Sequence, residues 1–481
     1  MSSVTCAANP AFEADASKDE KIVTSHAEFT LSPSNADADA QESRRIFRDV
    51  CCVAAGFFLL FTSYQSMANL QSSINKEYGT IAQSIIYATL LLSSLFLPTL
   101  VISQLGARNT IAVSMLGYSL YTAAQFYPTA YTLIPSAAIL GLAASPLWSA
   151  KCTYLNLAAQ RYAKLTGQNR EVVVTRFFGI FFAFFQSTQV VGNLISSLVL
   201  TQDSVWVNST DPALLRCGAT FCHEESASNA SLIKDISDTQ RYTMSGIYLA
   251  FALAASAFIM AFVTPLSRHC DDAVVRSSTG RSPTQQLLAT LRHLRNPQQI
   301  LIIPFTFWSG LMQAFLSAEF TAAYVSCGLG VYMVGYTMIC FGVFDALFSY
   351  CCSPMVKRVG RVPIFCFASL LHSCLIAVLF LWVPNPEQMY VFFVIPALWG
   401  ICDAVWQTQM NALYGVIFPE DSEAAFSNYK LWESSGFIAA YICSNLICVT
   451  AKLYILAGSL ALGFIGYVFI EIFEYRKNKL S

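Results

Sequence analysis

Charge is scarce in this chain. Of its 481 residues only 12% are Asp, Glu, Lys or Arg and only five are histidine, whereas an ordinary soluble domain carries about 25% charged residues. A water-facing globule of this length is excluded. Also missing are a phosphate-cradling loop with its lysine, a cluster of Cys, His, Asp and Glu at metal-ligand spacing, and a nucleophile motif in a strand–turn–helix context. The run "GLG" at Gly328–Gly330 is too short to stand for any of them. No catalytic residue, metal site or cofactor is therefore expected, and the protein is not read as an enzyme. The basic residues form no separate patch, which argues against nucleic acid as a partner. No cleavable signal peptide is visible, so the first apolar run has to direct insertion itself.

What is present is apolar: 55% hydrophobic residues and a mean hydropathy of +0.51. A bilayer-spanning helix needs about 20 mostly apolar residues. Twelve such runs lie near 50–70, 81–102, 109–127, 131–158, 175–200, 243–265, 299–325, 330–352, 363–383, 389–415, 424–449 and 452–473. Backbone polar groups in lipid must be satisfied inside their own segment, so each run is expected to be a helix. The lipid bilayer is the first partner implied.

Lys and Arg fix the expected orientation. With the amino terminus inside, twenty basic residues, among them Arg44, Arg45, Arg48, Arg161, Arg268 and Arg476, fall in inner segments; five (Lys76, Arg216, Lys234, Arg241 and Lys452) fall outside. Both termini are then cytosolic. The two sequons, at Asn208 and Asn229, fall together in the 201–242 loop that this count places outside. The same loop contains "RCGATFC", in which Cys217 and Cys222 would either pair with each other or stand as free thiols in an oxidising compartment. The remaining cysteines in or beside spans, such as Cys327 and Cys448, read as small apolar packing residues.

Residues 1–43 carry eight acids among Ala and Ser with no apolar run, and are expected to be a disordered cytosolic tail. An amino-terminal six-helix bundle spans 44–266, a polar and basic cytosolic linker 267–298, a second six-helix bundle 299–475, and a short cytosolic tail 476–481. The loops "SQLGAR" after the second span and "VKRVGR" after the eighth mark an internal repeat. The expected fold is thus an all-α membrane protein of twelve transmembrane helices in two six-helix bundles, of the major-facilitator type. That fold carries G-x-x-x-D-R-x-G-x-R in its inner loops. Aligned on Gly106 and Gly360, the first copy keeps Arg108 but has Ser103 and Gln104 in place of Asp and Arg; the second keeps Arg358 but has Lys357 in place of Asp. Both copies have lost the acid that helps latch the halves.

Polar side chains at bilayer depth normally face the bundle interior. Gln186, Gln189 and Asn193 in span five share one helical face, as do Asp403, Gln407 and Asn411 in span ten, while span one adds Gln65 and Asn69. Together they predict a wet central cavity, although each amide alone could simply bond helix to helix. Lys151 is expected to snorkel to the cytosolic interface, Glu319 to lie near the outer end of span seven, and Asp345 to pair with Arg358 or Lys357. Asp403 and Glu433 fall in the inner half of the membrane without an obvious basic neighbour in their own spans. They form the candidate ion or proton site, the alternative being buried acids that donate hydrogen bonds.

The stretch "FPEDSEAAFSNYKLWESSGF" sets Glu420, Asp421 and Glu423 at the start of span eleven, where negative charge meets the positive end of the helix dipole. We expect Arg108 or Arg358 to bond this acidic end, replacing the acid lost from both inner loops. Here the sequence also resembles a known family. "NALYGVIFPEDSEAAFSNYKLWESSGF", "PLWSAKCTYL", "FGIFFAFFQSTQVVGNLISSLV", "YTLIPSAAILGL" and "LQSSIN" are similar to the uncoordinated-93 (Unc-93) family, especially its A-type homologs, from about Arg44 to Tyr475. The resemblance implies a major-facilitator-like protein whose task has moved toward partners: the founding member regulates a potassium channel complex, and a B-type branch escorts Toll-like receptors to endosomes. It supplies no agreed catalytic residues. The expectation is an accessory subunit of a potassium channel or another integral membrane protein, at the plasma membrane or cycling through endosomes; the alternative is a solute or ion transporter, proton-coupled or not.

Overall fold

The computed structural model describes residues 33–75, 78–94, 97–168, 170–201, 214, 216–222, 236–265, 291–418 and 422–480. Among them there are no strands. The helices are α1 (Pro33–Ile74), α2 (Gly79–Ser94), α3 (Leu97–Ala124), α4 (Ala130–Thr166), α5 (Arg170–Thr201), α6 (Asp238–Phe262), α7 (Pro297–Ala314, continued as a π-helix over Phe315–Ser326), α8 (Tyr332–Val359), α9 (Arg361–Leu381), α10 (Met389–Ile417), α11 (Ser422–Leu446) and α12 (Val449–Leu480). Nine helices among the described residues are each long and apolar enough to cross a bilayer. The second span is shared: α3 breaks at Gly106, so its first part extends α2 and the remainder is the third span.

That break repeats in the other half. Gly106 has φ 74° and ψ 160°, and Gly360, between α8 and α9, has φ 83° and ψ 172°. This region of backbone space is open to glycine and almost closed to side-chain-bearing residues. The two glycines on which the inner loops align therefore make the same turn, and the internal repeat is visible in the backbone. Local signals start the helices where they should. Ser237 caps α6, accepting from the Gln240 amide (3.2 Å) while Gln240 Oε1 accepts from the Ser237 amide (3.1 Å). Asn296 accepts from the Gln298 amide ahead of Pro297 at the start of α7.

The amino-terminal bundle is cored by aromatic residues: Phe57, Phe61, Tyr64, Tyr118, Trp148, Phe181 and Phe185 interlock with ring centroids 5.0–6.4 Å apart. In the carboxy-terminal bundle Trp308, Trp399, Trp406 and His372 play that part, the Trp406 indole donating to His372 Nδ1 at 3.3 Å. The bundles meet where Tyr87 of α2 stacks on Phe437 of α11 (4.3 Å) and where Ser72 and Ser73 of α1 bond Thr321 and Ser326 (3.3 and 2.8 Å).

Three expected boundaries shift. Residues 33–43 form the first turns of α1 rather than a disordered tail, because their Ala, Asp and Glu residues tolerate a helix and Glu42 is held by Arg161 through two bonds of 3.0 and 3.1 Å. Helix α12 continues to Leu480, absorbing most of the short tail. The linker ends at Pro297, and its residues 267–290 lie outside the described residues.

Candidate functional site

Two of the three predicted amide stripes come together. Asn69 Nδ2 donates to Gln189 Oε1 (3.3 Å) and to Asn193 Oδ1 (3.1 Å), Asn193 Nδ2 donates to Gln189 Oε1 (3.0 Å), and Thr188 Oγ1 donates to Gln65 Oε1 (3.3 Å). These bonds join α1 to α5 inside the first bundle. Gln186, one turn inward, reaches across to the second bundle and donates to Asp345 Oδ2 at 3.3 Å. Asp345 also accepts from Ser349. The expected pairing of Asp345 with Arg358 is not seen, since the Arg358 side chain is exposed; Lys357 has no described side chain.

The third stripe bonds along its own helix: Gln407 Nε2 donates to Asp403 Oδ1 (3.4 Å) and Asn411 Nδ2 to the Gln407 carbonyl (2.6 Å). Helices α8 and α10 approach closely at Gly400, which faces the Phe341 carbonyl and the Asp345 amide. Asp345 and Asp403 thereby come within electrostatic reach of one another, and Asp403 within reach of Glu433. All three acids are buried, at 7%, 5% and 2% exposure. Glu433 departs from expectation. Lys430 Nζ donates to its Oε2 at 2.7 Å and Tyr429 Oη to its Oε1 at 3.0 Å. The i, i+3 spacing in "NYKLWES" was the signal for this pair.

Lys151 does not snorkel. The side chain is fully buried, and its ammonium nitrogen lies 4.3–5.3 Å from the ring centroids of Trp148, Phe178, Phe181 and Phe182. Among the described residues it has no hydrogen-bond partner. Four aromatic rings surround it among the described residues, a setting in which cation–π attraction stabilises an ammonium.

At the Gly218–Thr220 turn the structure corrects the disulfide expectation. Cys217 pairs with Cys327, and Cys222 with Cys448; the Cα–Cα separations are 5.7 and 4.4 Å. Cys217 and Cys222 flank the short 3₁₀ turn Gly218–Thr220 and open toward different partners, the α7–α8 and α11–α12 connections. The Val449 amide donates to the Phe221 carbonyl (3.0 Å) and Thr450 Oγ1 to the Ala219 carbonyl (2.5 Å), seating the turn on the second bundle. A loop of the first bundle is thus covalently fixed to the second. Cys327 and Cys448, read as packing residues, are its anchors.

Beneath these bridges, Lys452 Nζ donates to Glu319 Oε2 (2.8 Å) and to the Ser444 carbonyl (2.7 Å), with the two side chains 6% and 3% exposed. Glu319 sits in the π-helical stretch, a conformation that widens the helix and recurs at functional positions. That stretch also places Ser317 against Tyr441 (3.0 Å) and Thr321 against Ser72. Lys452 had been counted as an outer-loop residue and Glu319 placed near the outer end of span seven; 133 residues separate them, so no sequence spacing could join them.

Of the proposed inner latch, Arg108 donates to Asn109 Oδ1 (3.1 Å) and to the Val263 carbonyl (3.4 Å) within its own bundle. Glu420 and Asp421 lie outside the described residues, as do Asn208 and Asn229, and Glu423 is described only as part of α11. No group of three or more metal-ligating side chains occurs among the described residues.

A family model described as "Ion channel regulatory protein UNC-93" matches residues 70–469. Human "Protein unc-93 homolog A" is 43% identical over 437 residues, covering 89% of this chain and 94% of that protein. The Caenorhabditis elegans protein named "Putative potassium channel regulatory protein unc-93" is 31% identical over 463 residues, 95% of this chain and 65% of that one. Among solved structures, a D323A mutant of the nucleoside transporter NupG superposes with a TM-score of 0.61 at 14% identity, covering 87% of this chain and 98% of NupG. That likeness establishes the major-facilitator fold.

Proposed function

The chain belongs to the UNC-93 family, and from that premise we propose that it is an accessory subunit that regulates an integral membrane partner, a potassium channel in the first instance. One observation carries this reading: the two bundles are joined covalently at one face, while both inner-loop signatures lack the acid that latches a rocking transporter. A loop fixed across the halves limits how far their outer ends can part. The names of the family and of the C. elegans relative support an ion channel as the partner class.

The test is purification of the tagged full chain from its native membrane in mild detergent. A channel subunit co-eluting in fixed stoichiometry, and still doing so with Asp403→Asn, supports the accessory role. A protein that elutes alone argues against it.

The second reading, solute or ion transport, is favoured by the buried carboxyls Asp345, Asp403 and Glu433, with Gln186, Gln407 and Asn411 alongside. It requires that Asp403→Asn or Glu433→Gln abolish flux in proteoliposomes. For the membrane arrangement we infer cytosolic termini and an outer 201–242 loop at the cell surface or in endosomes. The bridges support this, because disulfides persist in oxidising compartments. Loss of a glycan-dependent gel shift in Asn208→Gln plus Asn229→Gln would accord with it; a wild-type chain insensitive to glycosidase would not.

A further inference from the structure

Between α9 and α12, on the flank of the second bundle, lies a groove of about 330 Å³. One wall is a single face of α9, formed by Cys366, Ser369, Ser373 and Ile376, and Ala457 and Ala461 of α12 help form the other. The first and last α9 positions are ten residues apart, so the groove runs about 15 Å up the membrane. At its inner end Cys366 is a free, exposed thiol. It stands five residues past Arg361, whose guanidinium holds Glu471 of α12 through bonds of 2.7 and 3.0 Å. That ion pair ties α9 to α12 about 7 Å along the helix from the thiol.

A second feature points to an occupant. Ser369, one turn above Cys366 on the same wall, is 7% exposed, and its hydroxyl has no hydrogen-bond partner among the described residues. A buried hydroxyl without a partner is costly, and a carbonyl placed one turn from the thiol would accept from it. The rest of the wall is apolar or small.

We propose that Cys366 is a site of S-acylation, the acyl chain lying in the α9–α12 groove with its thioester carbonyl accepting from Ser369. The inference rests on the orientation proposed above, which puts this end of α9 at the cytosol. A thiol at the cytosolic edge of a span is the position where such modification occurs. In the reaction Cys366 Sγ attacks the carbonyl of a long-chain acyl-coenzyme A. The new sulfur–carbon bond forms as the bond to the coenzyme A sulfur breaks, the thiol proton leaves with coenzyme A, and no oxidation occurs. The groove then shields the chain along one side, while the bilayer covers the other.

The test expresses the full chain in cultured mammalian cells fed an alkynyl palmitate and measures label released by neutral hydroxylamine. The wild type is expected to carry releasable label, Cys366→Ser to fall to background, and Cys374→Ser, an exposed thiol on α9 outside the groove, to keep it. Ala461→Phe, which fills the groove and leaves the thiol, is expected to lower the label several-fold. Mobility on non-reducing gels checks that each variant has matured. Should Cys366→Ser fail to accumulate, peptide mapping of the wild type decides: a Cys366 fully alkylated by N-ethylmaleimide before hydroxylamine treatment overturns the proposal. So does label that survives Cys366→Ser, or label removed by organic solvent alone, which would mean lipid held only non-covalently. A failure of the orientation is distinguishable, because it would appear as a chain insensitive to glycosidase.

Discussion

Among the described residues each bundle buries one lysine, and the two are stabilised by opposite means. Lys452, in the second bundle, has a carboxylate and a backbone carbonyl as partners, Glu319 and Ser444. Lys151, in the first, has four aromatic rings and no hydrogen bond among the described residues. The contrast separates two ways of holding an amine out of water. Direct pairing makes each partner dependent on the other, because removing one leaves an uncompensated buried charge. An aromatic cage binds its amine without creating such a dependence, and offsets only part of the desolvation cost.

The sharpest way to break the comparison is Lys452→Met, which removes the ammonium from which Glu319 Oε2 accepts. It should lower stability by about 3–5 kcal/mol, read from denaturant titration of the purified protein in detergent; a loss under about 1 kcal/mol would show that the pair contributes little. Adding Glu319→Leu to Lys452→Met should recover most of that loss, since replacing a whole buried pair by apolar residues is often neutral, and the double-mutant cycle gives the coupling directly. Opening the outer bridges with Cys217→Ala and Cys222→Ala comes next, at about 2–4 kcal/mol for each bridge, measured the same way and checked by loss of the mobility change on reduction.

Lys151→Met tests the other side. Removing an unpartnered buried amine should raise stability by about 1 kcal/mol, the difference between a desolvation cost of about 1–3 kcal/mol and cation–π stabilisation of about 0.5–2 kcal/mol. A decrease would show that the cage favours the ammonium outright, and the two lysines would then be alike. The smallest effect is expected for Asn69→Leu, about 0.6 kcal/mol for each interhelical bond, with retained co-elution of any partner as the control for fold.

Much of the architecture was legible in the chain because a bilayer imposes long apolar runs and a charge bias, both local in sequence. Gly106 and Gly360 marked the repeat for the same reason: a turn that only glycine adopts leaves its signature at one position. The Asn69–Gln189–Asn193 network was legible as faces, since helical spacing puts such residues on one side, though which faces meet was not. Pairings between distant segments stayed hidden. Cys217 and Cys222 looked like partners because they are neighbours in sequence, yet each turns to a residue more than a hundred positions away. Lys151 was misplaced because three of the rings around it, Phe178, Phe181 and Phe182, come from α5, a pairing between helices that one span does not reveal. Glu433 was misjudged for a simpler reason: Lys430 lies three residues before it in the same span and was not weighed as a partner.

The outer bridges also set an order on biosynthesis. A ribosome delivers the chain from its amino terminus, so Cys217 must wait 110 residues for Cys327, and Cys222 must wait 226 for Cys448. Until Cys327 has been delivered neither bond can close, and from then until Cys448 is delivered only the Cys222 bond is still to be made. A chain that stops before Cys448 therefore cannot form the second bond. Once both bonds have closed, the reverse holds: cleavage within the 267–298 linker would leave the two halves travelling as one molecule on a non-reducing gel.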